Sequence, residues 1–123
     1  MKLPNAEEQL MEIIWKCKAA FLKDIMEHYP DPKPAPTTIA TLLKRLQERG
    51  VIAYHLFGNS RQYYPLVDKE DYFKGCMGEI VKNFFGNSAL QFASFFTTTS
   101  NLSEKELEDL KKIVECEINR RKK

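Results

Sequence analysis

The sequence predicts a mainly α-helical chain with one small β-hairpin. Three observations carry that prediction. Over Pro36–Gly50 the apolar residues Ile39, Leu42, Leu43 and Leu46 recur at helical spacing. Directly afterwards the period switches to two: Val51, Ala53, His55 and Phe57 alternate with Ile52, Tyr54 and Leu56, Gly58-Asn59-Ser60 turns, and Arg61–Tyr64 returns. Beyond Pro65 helical spacing resumes and holds to the C-terminus.

The 123 residues suffice for one domain, or for a small domain with an appended element. With 43% hydrophobic and 29% charged residues the composition is that of a soluble globular protein. A formal net charge of +2 does not by itself announce a nucleic-acid binder. Residues 1–67 hold nine Lys/Arg against seven Asp/Glu, and residues 68–123 hold ten of each, so the small excess lies in the first half. Cys17, Cys76 and Cys116 are widely spaced and belong to no C-x-x-C or Cys/His cluster, which argues against a metal or other cofactor. No signal peptide and no apolar run near 18 residues is present, so the chain reads as cytoplasmic, without membrane insertion. No Ser/His/Asp, Cys/His or H-E-x-x-H set has usable spacing and no phosphate loop exists, so the chain does not read as an enzyme.

Taken in order, Asn5 is expected to cap a first helix, with Glu8 completing a capping box, and Leu10, Ile13, Ile14 and Cys17 form its apolar face. Trp15 reads as a core anchor. Ala19-Ala20-Phe21 is a short extended step, and Leu22–His28 a second, short helix. His28 and His55 read as structural or surface residues. Pro30, Pro32, Pro34 and Pro36 make a stiff connector that cannot be helical. It leads into a third helix that Pro36 or Thr37 starts and Gly50 ends in a left-handed cap. Asp68 opens a helix from about Lys69 to Phe85, Gly86-Asn87 interrupts it, Ser88–Phe96 is a short helix, and Thr97–Asn101 a polar link. Ser103 with Glu106 is a capping box for a last helix carrying Leu107, Leu110, Ile113, Val114 and Ile118 and ending in Arg120–Lys123.

Helix, helix, constrained turn, helix and hairpin make a winged helix-turn-helix, here followed by a C-terminal three-helix region. The outward face of the third helix begins with small hydroxyl and methyl groups and continues into Lys44 and Arg45. Small side chains let a helix approach base edges in the major groove, and the cations reach phosphates. A solvated basic face is the plainer reading of this helix alone. Read with its neighbours, Thr37–Arg49 is the expected recognition helix for the major groove of double-stranded DNA. Lys33, Lys44 and Arg45, with Arg61 at the hairpin tip, would displace counterions.

The C-terminal segment is too short to enclose its own aromatics, Phe73, Phe84, Phe85, Phe92, Phe95 and Phe96. A homodimer intertwining these helices would bury them, together with Ile80, Leu107, Leu110 and Val114. The expected organisation is therefore a winged-helix DNA-binding domain at 1–67 and a helical dimerisation domain at 68–123. The alternatives are that these aromatics pack back on residues 1–66, or that the chain is a winged-helix protein-interaction module whose aromatic tail binds another protein.

AEEQLMEIIWK at Ala6–Lys16, Phe21–Ile25, KPAPTTIATLLKRLQERG at Lys33–Gly50, the hairpin Tyr54–Tyr64 ending in YYPL, and LSEKELEDLKKIVE at Leu102–Glu115 together resemble the penicillinase/methicillin-resistance repressor family (BlaI/MecI type, related to copper-transport repressors). The resemblance runs essentially end to end. It implies a dimeric repressor on a palindromic operator, controlling β-lactam resistance genes. Thr37, Thr38, Thr41, Lys44 and Arg45 match positions that face DNA in the family, and Ala40 stands where some members have Arg. It also implies a membrane sensor that triggers proteolysis of the dimerisation region between an Asn and a Phe. That pair falls on Phe95-Phe96, where Phe96 matches and Phe95 replaces the Asn; the chain's own Asn-Phe is Asn83-Phe84. The copper-responsive branch carries paired C-x-C motifs near the C-terminus, where this chain has Cys116 alone, so no copper sensing is implied.

Overall fold

The computed structural model describes residues 2–122; Met1 and Lys123, the last residue of the basic run, lie outside the described residues. The elements are α1 (Asn5–Cys17), α2 (Leu22–His28), α3 (Pro36–Glu48), β1 (Ile52–Phe57), β2 (Ser60–Pro65), α4 (Lys69–Phe84), α5 (Ala89–Thr99) and α6 (Glu104–Arg121). They form two compact units, one ending at Met77 and the other starting at Gly78.

The first unit is a winged helix built around α1, which touches α2, α3 and β2. Leu10, Met11 and Ile14 of α1 meet Ile25 of α2, Ile39, Leu43 and Leu46 of α3, and Ile52 and Tyr63 of the hairpin, all of them buried. Each such aliphatic side chain contributes roughly 1.5–3 kcal/mol on leaving water. Strand pairing is antiparallel, from Ile52↔Pro65 to Phe57↔Ser60. Gly58, at φ +63°, takes the first of the two turn positions, as a II′ turn requires. The extended step before α2 lies beside β2: Ala20 and Tyr63 exchange both backbone hydrogen bonds at 2.8 Å.

The end of α3 explains Gly50. The Gly50 N–H donates to the Gln47 carbonyl at 2.9 Å and the Val51 N–H to the Leu46 carbonyl at 3.2 Å. This is a Schellman motif, which needs the left-handed φ of +76° at Gly50 and brings apolar Val51 back over the last turn.

Three expectations need correction. Asn5 does not cap α1; the helix begins at Asn5 itself after Pro4, with no side-chain cap bond. Glu8 is drawn away to the Lys2 ammonium (2.6 Å) and the Tyr72 hydroxyl (2.7 Å). The helix expected to stop at Phe96 runs on to Thr99, and the Thr97, Thr98 and Thr99 hydroxyls donate back to carbonyls one turn earlier. The first compact unit passes residue 67 and takes in the start of α4. Tyr72 and Cys76 are buried there, the Trp15 ring packs on Tyr72 (5.6 Å) and Phe73 (6.0 Å), and Trp15 Nε1–H donates to the Val67 carbonyl at 2.8 Å. Phe73, expected among the tail aromatics, is thus engaged within the first unit.

Tyr72 also accepts a hydrogen bond from the Leu3 N–H at 2.9 Å. Tyr72→Phe is expected to cost about 1–3 kcal/mol, since a buried N–H loses its acceptor. That cost should shrink in acid. The Lys2 ammonium and the Tyr72 hydroxyl hold the Glu8 carboxyl below its usual range. Its contribution is therefore present above the ordinary carboxylate pKa and lost as pH falls through the lowered folded value. Denaturant titrations of both proteins at neutral and acid pH check this; a pH-independent gap would show that Glu8 contributes nothing.

In the second unit Phe85 packs on Phe92 (5.5 Å) and Phe95 (5.3 Å), and Phe92 stacks on Phe96 (6.5 Å). The Ser103–Glu106 capping box forms as expected. Neither α5 nor α6 has a buried residue.

Candidate nucleic-acid interface

The sequence of α3 divides it into two faces, and the fold uses them oppositely. Ile39, Leu42, Leu43 and Leu46 are buried against the first unit, which leaves Thr37, Thr38, Ala40, Thr41, Lys44, Arg45 and Glu48 all exposed. Pro36 occupies the first helical position, where its missing N–H is no loss. The exposed face is therefore rigid in backbone and free in side chains. Lys44 and Arg45 have no ion-pair partner among the described residues, so their charges are available to an external anion.

Thr41 donates its hydroxyl proton to the Thr37 carbonyl at 3.0 Å. A hydroxyl so engaged keeps its lone pairs and approaches a partner as an acceptor. In the major groove such a group suits the exocyclic amine of adenine or cytosine.

The structure treats the two remaining candidate cations differently. Arg61, exposed on β2, holds its guanidinium 4.5 Å from the centre of the Tyr54 ring. The cation–π contact limits where that charge can point without neutralising it. Lys33 departs from the expectation of a free cation. Its Nζ donates to the Met26 carbonyl (3.0 Å), which also accepts the Tyr29 N–H at 3.3 Å, and to the Tyr29 carbonyl (2.7 Å) just past the end of α2. Lys33 thus pins the proline connector to α2 and so fixes where α3 begins. Sequence reasoning also missed Arg49, which reaches across to Glu7 of α1 at 2.7 Å. A buried carboxylate leaves no periodic signal when it sits in a first helical turn where acids are common.

The other chemistry-bearing groups do not converge. Cys17 Sγ lies 3.7 Å from both ring nitrogens of exposed His28, and burial, then Asp24, pushes its thiol pKa up, which disfavours the reactive thiolate. Cys76 is buried and Cys116 exposed. Among the described residues no helix is long and apolar enough to cross a membrane.

The tail residues expected to dimerise carry large exposed apolar area. Phe84 is 77% exposed, Phe95 53% and Val114 52%, with Ile80, Phe96 and Leu107 exposed as well. Phe85, Phe92 and Leu110 are half-buried.

Residues 3–116 match the penicillinase repressor family. The chain is 26% identical over 122 residues to the penicillinase repressor of Bacillus licheniformis, covering 98% of this chain and 95% of that one. It is 31% identical over 118 residues to the methicillin resistance regulatory protein MecI of Staphylococcus aureus, covering 92% and 93%. The solution structure of the DNA-binding domain of the repressor BlaI superposes with a TM-score of 0.51 at 29% identity, covering 58% of this chain and 88% of that chain.

Proposed function

The chain belongs to the penicillinase repressor family and is a transcriptional repressor, not an enzyme; we propose that it acts as a cytoplasmic homodimer on a palindromic operator of resistance genes. Each protomer lays Thr37–Arg45 in a major groove and rests its hairpin, with Arg61, on the adjacent backbone. Half-sites then lie one or more duplex turns apart, in steps of about 34–36 Å. The bound dimer blocks transcription by covering promoter DNA.

The observation that carries this reading is the face of α3. Three threonines, an alanine and two unpaired cations stand exposed together beside a hairpin, on a helix whose opposite side is locked into the core. Dimerisation is supported by the bare apolar stripe of α5 and α6. Induction by a sensor-triggered protease would act on that tail. Phe95-Phe96 lies within helical α5, so cleavage there requires the helix to open first, and it would divide the aromatic cluster around Phe92.

A titration of the full chain against its own upstream duplex, combined with a sizing measurement, tests the reading. The expected result is two protomers per duplex and an affinity that falls steeply with salt. A chain that runs as a monomer and ignores the duplex refutes it. Base readout has its own test. Thr41→Ala should change preference at one base-pair position per half-site by about 1 kcal/mol, roughly fivefold, with other positions unaffected. Affinities across a panel of single-base operator variants measure this.

A further inference from the structure

Glu7 is the one charged residue buried among the described residues, 2% exposed, in the first turn of α1. Its carboxylate faces Arg49, which closes α3. Arg49 Nε donates to Glu7 Oε1 at 2.7 Å, and Nη2 reaches Oε2 at 3.4 Å. The element at the centre of the first unit therefore grips the far end of α3 through a two-point fork. At the near end, Lys33 fixes the connector to α2.

An ion pair with one partner buried is a poor source of stability. Glu7 leaves water while the Arg49 side chain stays 36% exposed, so desolvation of the carboxylate offsets much of an attraction that solvent also screens. What the fork supplies is direction. A planar guanidinium meets a carboxylate in one orientation, whereas the stripe of Leu42, Leu43 and Leu46 tolerates small rolls and slides. We propose that Glu7 and Arg49 are positioning residues that set the tilt and roll of α3, and so govern base discrimination without touching DNA. The proposal rests on the reading that α3 enters the major groove. Base edges must be met within about 0.5 Å, but the long side chains of Lys44 and Arg45 follow a phosphate over a wider range. A loosened α3 therefore loses discrimination before it loses backbone affinity.

The test uses the full chain, a duplex selected from a random pool by the unaltered protein, and a scrambled duplex of the same composition. Glu7→Met with Arg49→Met removes one charge of each sign and leaves the formal total unchanged. The expected result is a retained thermal midpoint, scrambled-duplex affinity within about twofold, and selected-duplex affinity weaker by about tenfold or more. Undiminished discrimination in that folded variant overturns the proposal. So does a parallel fall in stability and in both affinities, which marks a merely structural pair. If the double variant does not fold, Arg49→Lys gives the same reading. It keeps the charge but loses the fork, and should lower discrimination about threefold at constant scrambled affinity; an equal loss on both duplexes overturns the proposal. An unaltered protein that selects no duplex at all refutes the groove reading itself, an outcome distinct from the others.

Discussion

Replacing Lys44 and Arg45 together with alanine is expected to weaken binding to every duplex, selected or scrambled, by roughly a hundredfold at moderate salt, and to lower the salt slope by about two per protomer. Both side chains are exposed and unpaired among the described residues, so the loss falls on binding and leaves folding nearly untouched. Removing a phosphate contact weakens all sequences alike, because the backbone carries no base information. Lys33→Ala is the informative control. Its ammonium is held by the Met26 and Tyr29 carbonyls, so the variant should lose about 1 kcal/mol of stability while the salt slope moves little. Binding isotherms at three salt concentrations, with a thermal melt of each variant, separate the two effects. If Lys33→Ala lowers the slope as much as Lys44→Ala, Lys33 does face phosphate and the capping role is secondary.

Leu107→Asp combined with Val114→Asp is expected to turn a dimer into monomers and to weaken operator binding by about a hundredfold to ten-thousandfold. Leu107 is 39% and Val114 52% exposed in the isolated chain. Both side chains keep much of their apolar area open to a partner, and two carboxylates there cannot enter an apolar interface without desolvation. Once the protomers separate, the second half-site no longer benefits from a high effective concentration, and that advantage accounts for the predicted range. Scrambled DNA should be less affected. Equilibrium sedimentation and operator titration of the same sample decide the matter; a dimer that survives both carboxylates would move the interface away from α6.

The periodic parts of the fold were legible in the sequence. The stripe of α3, the switch to period two after Gly50, and the Ser103–Glu106 box are each written in residue spacing within a single stretch of chain, and all three form as expected. What escaped were pairings that only the folded chain brings together. Lys33 looks like any solvated lysine until the carbonyls of Met26 and Tyr29, at the end of α2, gather on its ammonium. Glu7 looks like a helix-opening acid until Arg49 closes over it. Phe73 has the spacing of the tail aromatics, yet Trp15 claims it. Thr97–Thr99 look like a linker by composition, yet the helix runs through them with their hydroxyls bonded back to the preceding turn. The candidate site was legible as a face, since helical spacing alone sorts Thr37, Thr38, Thr41, Lys44 and Arg45 from the leucines. The partners that orient that face were not.

The hairpin is fastened unevenly along its length. Ile52 and Tyr63 are buried at its base, where Ala20 adds a one-residue third strand, while Leu56 is 63% and Phe57 55% exposed near the tip. Toward the tip the fastening thins to one ring contact, Phe57 edge-on against Phe21 at 5.9 Å. On the proposed reading, variation in groove width from one promoter to another would be taken up at this lightly held tip before α3 had to shift.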